Sequence, residues 1–118
     1  MVAIGGGIIQ DITSFTASIY LRGIEWSFFP TTLLAQADSC IGGKTSINLG
    51  TLKNIVGNFN PPVKIYLDID FLATLSKEDI KSGIGEILHF YYYSNSPYIK
   101  EIANTYEDLI INPKSLLK

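Results

Sequence analysis

Three stretches of the chain carry residue types at spacings that could do chemistry. The first is Gly5-Gly6-Gly7-Ile8-Ile9-Gln10-Asp11, between a short apolar run and a helical pattern. Glycines let a backbone approach a pyrophosphate closely, and the positive end of the helix that follows stabilises its charge. The spacing departs from G-x-G-x-x-G, so this is a variant phosphate turn, or a plain turn where strand and helix pack tightly. The second is Asp38-Ser39-Cys40-Ile41-Gly42-Gly43-Lys44-Thr45. Its Gly-Lys-Thr end is that of a P-loop, but a P-loop needs glycine at the position Asp38 occupies, which disfavours a nucleoside triphosphatase. What remains is a carboxylate and an ammonium on one glycine-rich loop. That pairing suits polyhydroxy or phosphorylated substrates, with Lys44 and Lys53 as point-charge anion anchors. The plainer alternative is two solvated lysines on a surface hairpin. The third is Glu86-Ile87-Leu88-His89, whose carboxylate and imidazole share a helix face at a spacing found in metal sites. Two ligands make no metal site, so a solvated acid beside a half-buried, hydrogen-bonded histidine is the simpler reading.

The elements that must position these residues follow from punctuation and period. Val2-Ala3-Ile4 reads as the end of a buried strand. Ile8 to Leu21 then carries Ile8, Ile12, Phe15 and Ile19 near the spacing of one helical face, closed by Arg22-Gly23. Glu25 to Phe29 is a short aromatic strand halted by Pro30, and Thr31-Thr32 can cap a helix through Leu33, Leu34 and Ala37. Ile41 to Phe59 predicts a loop-rich hairpin, and Val63 to Ile69 a strong strand. Composition changes near Asp70. Ser76 with Asp79 resembles a capping box, Ile80, Ile84, Ile87 and Leu88 form one stripe, Asn95-Ser96-Pro97 breaks the helix, and Tyr98 to Ile111 predicts another, ended by Asn112-Pro113.

Composition bounds the partners. The chain has 118 residues, of which 17% are charged, against about 25% in ordinary soluble domains. A small body so short of charge is expected to have surface meant for coverage by other chain or a partner. The formal net charge of -2 gives no electrostatic footprint for nucleic acid or an anionic membrane, so neither is an expected partner. Cys40 and His89 are the only residues of their types, which excludes an intrachain disulfide and a Cys/His zinc site, and a reducing, cytoplasmic setting fits. No apolar run reaches the roughly 18 residues that span a bilayer, and the start lacks the basic flank of a signal peptide.

In order, the chain reads Gly-Gly-Gly-x-x-x-Asp, Arg-Gly-Ile, Pro-Thr-Thr-Leu-Leu-Ala-Gln-x-Asp-Ser-x-Ile-Gly-Gly-Lys-Thr, Lys-Asn-x-x-Gly-x-Phe-x-x-Pro and Ser-Gly-x-x-Glu. This series resembles the 3-dehydroquinate synthase family of sugar phosphate cyclases. The match runs from about Ala3 to Glu86 and is most specific from Pro30 to Thr45; the residues beyond match weakly. The resemblance implies an α/β fold: part of a Rossmann-like NAD-binding domain over residues 1–70, then the first helices of an all-α metal and substrate domain over 71–118. It implies a homodimeric enzyme that uses NAD and a divalent metal, zinc or cobalt, to convert a phosphorylated sugar acid into a carbocycle with loss of phosphate. NAD oxidises a hydroxyl, the neighbouring carbon becomes acidic enough to eliminate phosphate, the hydride returns, and an intramolecular aldol closes the ring; metal and cations stabilise the developing oxyanions.

Carried over by position, the resemblance places Gly5, Gly6, Gly7, Ile8 and Asp11 along NAD, with Thr31, Thr32, Lys53 and the stretch Phe71, Leu72, Ala73 and Thr74 also against it. Asp38, Lys44 and Asn54 would hold the substrate, Lys44 touching the cofactor too. Arg22 resembles the arginine that reaches a neighbouring subunit's substrate phosphate, and Glu86 the first of three metal ligands, the other two being histidines further along. The family has lysine at a substrate-touching position where this chain has His89. A shorter, titratable imidazole there leaves open whether the substrate is the family's heptulosonate phosphate or a different sugar phosphate. No further histidine completes the metal site, and the family's early strands would precede Val2, so the chain is expected to be the central part of a longer enzyme and inactive alone. Two alternatives stand beside this: a polyol or glycerol-phosphate dehydrogenase, which shares the glycine turn, and an inactive fragment or partner-covering module.

Overall fold

The computed structural model describes residues 1–112. Strand β1 (Val2–Gly5) leads through Gly6 into helix α1 (Gly7–Ile19), and a 3-10 turn, Tyr20–Arg22, returns the chain to β2 (Ser27–Pro30). Beyond Thr32 the chain is helical through a π-helical segment, Ala35–Ser39, and one closing turn, α2 (Cys40–Gly42). The predicted hairpin follows as β3 (Lys44–Leu49) and β4 (Leu52–Phe59), then β5 (Lys64–Ile65), a 3-10 stretch (Ile69–Thr74), and helices α3 (Lys77–Tyr93) and α4 (Ile99–Ile111). β1, β2 and β5 form a parallel sheet in that order, with Val2 opposite Ser27 and Gly5 opposite Pro30, while β3 and β4 pair antiparallel on their own.

The mixed α/β architecture with a parallel sheet agrees with the sequence reading, and three local expectations are corrected. First, α1 buries Gln10, Ser14 and Ala17, not the isoleucine stripe: Ile8 and Ile19 are exposed and Ile12 is 55% exposed. Small and hydrogen-bonding side chains at i, i+4 and i+7 let the hairpin come close to the helix, which branched residues would hold off. Second, the helix ends at Ile19, before Leu21, because Leu21 (φ 49°) and Arg22 (φ 69°) take left-handed backbone ahead of Gly23 (φ 116°). Third, Val63 to Ile69 is no long strand. The Val63 and Tyr66 N–H groups donate to the Trp26 and Phe28 carbonyls, but β2 stops at Pro30 and offers Leu67 onward no partner. The chain turns there, with the Asp68 carboxylate accepting from the Asp70 N–H at 2.9 Å.

The capping expectation at Ser76 holds. Its Oγ accepts from the Asp79 N–H at 3.1 Å and donates to Asp79 Oδ2 at 2.7 Å, so the pair closes on itself around the helix start. Of the predicted stripe, Ile80 and Ile84 are buried and Ile87 and Leu88 pack beside them. Pro113, expected to follow the end of α4, lies outside the described residues, as do residues 114–118 of the expected second domain.

Two apolar cores result. Ala3, Ala17, Trp26, Phe28, Ala35 and Cys40 fill the first, between the sheet and α1; Leu33, Leu72, Ile80, Ile84, Ile102 and Leu109 fill the second, under α3 and α4. The helical stretch after Thr32 belongs to both, with Leu33 in one and Ala35 and Cys40 in the other. Among the described residues no helix is long and apolar enough to cross a membrane.

Candidate functional site

The parallel sheet brings the first motif to its carboxyl edge, where open α/β sheets bind ligands. The Thr31 N–H donates to the Gly5 carbonyl at 2.9 Å, tying the end of β2 to the glycine turn. Each glycine has its own steric role. A Cβ on Gly5 would sit 2.6 Å from Ile9 Cγ1, and one on Gly6 would sit 3.1 Å from Thr32 Cγ2, so both allow close packing. Around the Cβ position of Gly7 there is nothing within 4 Å, and α1 begins with neither a side-chain cap nor an acidic residue in its first turn. Uncapped N–H groups beside open space fit an anionic group such as a pyrophosphate. Partial burial raises the Asp11 carboxyl above its ordinary pKa, though the side chain still reaches solvent.

Thr32 starts the next segment by accepting the Ala35 N–H on Oγ1 at 3.2 Å. The π geometry shows in Cys40, whose N–H donates to the Ala35 carbonyl five residues back. Asp38 sits in this segment, half-buried. The Gln36 side chain donates to the Pro30 carbonyl at 3.0 Å and the Asp68 carbonyl at 2.9 Å, holding together the chain ends that leave β2 and β5. Phe71, Leu72, Ala73 and Thr74 follow at once in the Ile69–Thr74 turn. Leu72 points into the second core, so it can meet a ligand only through its backbone.

Lys44 leaves the left-handed Gly43 (φ 62°) as the first residue of β3 and is exposed. Its bend is held by Asn60, whose N–H donates to the Gly43 carbonyl at 2.9 Å, whose Nδ2 donates to the Ser14 carbonyl at 3.1 Å, and whose own carbonyl accepts from Trp26 Nε1 at 2.9 Å. Lys53 and Asn54 lie toward the hairpin tip. Asn54 takes left-handed backbone (φ 55°), donates its N–H to Asn48 Oδ1 at 3.0 Å and accepts from Ser46 Oγ at 3.1 Å. At about 3.3 Å per strand residue, Asn54 beside Asn48 stands roughly 13 Å along the hairpin from Lys44. The fold therefore gathers the glycine turn, Thr31, Thr32, the Asp38 segment and the Phe71–Thr74 stretch, while Lys53 and Asn54 extend away on the hairpin. Arg22, beyond the far end of α1, lies roughly 20 Å from the turn at about 1.5 Å per helical residue.

Glu86 is half-buried on α3, one turn after Gly83 and on the same face. Gly83 lies against Leu33, so that face looks toward the Asp38 segment. His89 is exposed and packs its ring on Tyr93, centroids 4.8 Å apart, and against the edge of Phe90. Among the described residues no three His, Cys, Asp or Glu side chains come together as a metal site, so those residues alone do not fit a metal centre. Cys40 is buried, donates Sγ–H to the Gln36 carbonyl at 3.3 Å, and has its pKa raised by that burial, the profile of an inert thiol.

Sequence reasoning quoted Gln10 and Gln36 only as members of motifs and passed over Asn60, and so missed that all three hold the site's backbone.

Comparison with known proteins places most of the chain in one family. A family model described as 3-dehydroquinate synthase N-terminal matches residues 1–82. The 3-dehydroquinate synthase of Blochmanniella floridana is 43% identical over 118 residues, covering 99% of this chain and 32% of that protein. That of Alkaliphilus metalliredigens (strain QYMF) is 53% identical over 90 residues, covering 76% of this chain and 25% of that one. The chain thus spans about a third or less of these relatives. Among solved structures, the 2-epi-5-epi-valiolone synthase of Streptomyces hygroscopicus subsp. jinggangensis 5008, with NAD+ and Zn2+ bound, superposes with a TM-score of 0.72 at 39% identity, over 74% of this chain and 24% of that one. A 2-deoxy-scyllo-inosose synthase complexed with carbaglucose-6-phosphate, NAD+ and Co2+ superposes with a TM-score of 0.68 at 35% identity, over 70% and 23%.

Proposed function

This chain belongs to the 3-dehydroquinate synthase family, and from that premise we propose that it supplies the cofactor turn and part of the substrate cleft of an NAD-dependent sugar phosphate cyclase. The observation that carries the reading is the open, uncapped start of α1 at Gly7, held beside Thr31 and Thr32 at the carboxyl edge of the parallel sheet. NAD+ bound in a neighbour at 39% identity supports it.

NAD, when bound, supplies oxidation of a substrate hydroxyl and return of the hydride. The backbone of Gly5, Gly6, Gly7 and Ile8 receives the pyrophosphate, and Asp11 accepts hydrogen bonds from ribose hydroxyls. Thr31, Thr32 and the Phe71, Leu72, Ala73 and Thr74 backbone border the same cofactor, whereas the contact of Lys53 with NAD rests on the family resemblance alone, since Lys53 stands toward the hairpin tip. Asp38 orients substrate hydroxyls, and Lys44 places a positive charge where phosphate or carboxylate charge must be held. Asn54, out on the hairpin, holds substrate hydroxyls or carboxylate, and Arg22, remote from this turn, serves the site of the second subunit of a homodimer. Glu86 is the carboxylate that would be offered to a divalent metal, zinc or cobalt. His89 puts a shorter side chain where the family has lysine, which leaves both the heptulosonate phosphate and another sugar phosphate as substrates of this reading. The division into an NAD-facing part, residues 1–70, and the start of an all-α part, 71–118, belongs to this proposal, as does a cytoplasmic setting.

Lys44→Ala in the complete enzyme should abolish phosphate release. Unchanged turnover refutes the assignment. NADH accumulating in step with substrate consumption would instead identify a dehydrogenase, since a cyclase returns its hydride.

A further inference from the structure

Gln10 is 2% exposed, on a helix face otherwise built from Ser14 and Ala17. One residue engages both ends of its amide: Nε2 donates to the Ser39 carbonyl at 2.5 Å, and Ser39 Oγ donates to Gln10 Oε1 at 2.6 Å. The Ser39 carbonyl is among the last four of a helical stretch ending at Gly42, those left without a partner inside the helix. A buried amide desolvates at a cost unless both its groups are met, and here one partner meets both.

The place of the pair is informative. Gln10 precedes Asp11 and lies one turn beyond Gly7; Ser39 follows Asp38 in the π-helical segment. π geometry is a rare local state, and a slip of one residue back to α geometry would swing Asp38 by about 100° around its axis. Within the segment, bonds such as that from Cys40 to Ala35 accompany the π form, and Gln10 grips it from outside.

We infer that Gln10 and Ser39 are a positioning pair that fixes the register of Asp38 against the glycine turn. Order at the cofactor turn and orientation of the substrate carboxylate are thereby linked through one side-chain contact. The functional meaning rests on the proposed roles of the turn and of Asp38; the register claim does not.

Amide hydrogen exchange on the full chain tests both parts. Gln10→Met keeps the volume and removes the grip, and should speed exchange at residues 38–42 by about tenfold or more while the amides of α3 and of the hairpin keep their rates. Ser39→Ala should act on the same residues, and the double variant should add little to either single one. NAD added to the complete, unaltered enzyme should protect residues 7–9 and 38–42; in Gln10→Met it should protect only the first set. Exchange that rises evenly along the chain, effects that add in the double variant, or NAD protection of residues 38–42 that survives Gln10→Met overturns the pair's role. Failure of NAD to protect residues 7–9 in the complete, unaltered enzyme refutes the cofactor reading, and the exchange rates without NAD then decide the register claim by themselves.

Discussion

Two glycines two residues apart on α3 should respond oppositely to alanine. At Gly83 a Cβ would lie 2.5 Å from Leu33 Cγ and 2.6 Å from Leu33 Cβ. The second contact decides the matter, because a Cβ is anchored to its backbone and cannot swing aside. Leu33 is 5% exposed and packed with Leu72, Ile80 and Ile84, so relief requires α3 to move off the segment beneath it. Overpacking of this kind costs about 1–3 kcal/mol, and the upper half of that range applies where backbone must shift. Replacing glycine inside a helix returns about 1 kcal/mol. Gly83→Ala should therefore destabilise by about 1–2 kcal/mol. At Gly85 nothing lies within 4 Å of the Cβ position, so only the helix term acts and Gly85→Ala should stabilise by about 1 kcal/mol. With a urea m-value of about 1–3 kcal/mol/M, the midpoints of the two variants should differ by about 0.7–3 M. Equal stabilisation by both substitutions would refute the contact between α3 and Leu33, and with it the orientation of Glu86 toward the Asp38 segment.

Two further outcomes follow from the backbone and from charge. Leu21 holds left-handed backbone at φ 49°, which costs a residue with a Cβ about 1–2 kcal/mol, so Leu21→Gly should raise stability by up to about 1 kcal/mol after glycine's entropy in the unfolded chain is counted; a lower urea midpoint would show that the Leu21 side chain contributes more than its backbone costs. Asp11 has a folded pKa raised above 3.8 by burial, so the folded state binds its proton more tightly than the unfolded chain does. Its contribution to stability is fully present below pH 3.8 and is lost as pH rises through the folded value. Asp11→Asn should flatten that part of a urea-midpoint profile against pH, and an unchanged slope would contradict the burial.

Much of this protein is local chemistry that can be read along the chain. The glycine turn between strand and helix, the capping pair Ser76 and Asp79, the hairpin bounded by Gly43 and Pro61-Pro62, and the helix break at Asn95-Ser96-Pro97 each rest on neighbours in sequence. The ordered motifs from Gly5 to Glu86 carried the family, because several residue types at fixed spacing in one order are far more specific than any one of them alone. Where the reading failed, the competing force came from distant chain. Periodicity assigned the isoleucines of α1 to the core, yet the face that packs is the one whose Gln10 and Ser14 backbone find Ser39 and Asn60 across the fold. A strand predicted over Val63 to Ile69 shortened because its partner ended at Pro30.

The sequence by itself therefore determined which residues could do chemistry and the local turns that present them, since those depend on residue type and short-range sterics. The tertiary structure alone decided which of them meet. It joined the glycine turn to Thr31 and Thr32, set the π register that carries Asp38, left Lys53 and Asn54 out along the hairpin, and turned Glu86 toward the same segment through the contact of Gly83 with Leu33. Such contacts link residues tens of positions apart, and their energies depend on packing and on partners for buried polar groups, which no local pattern encodes.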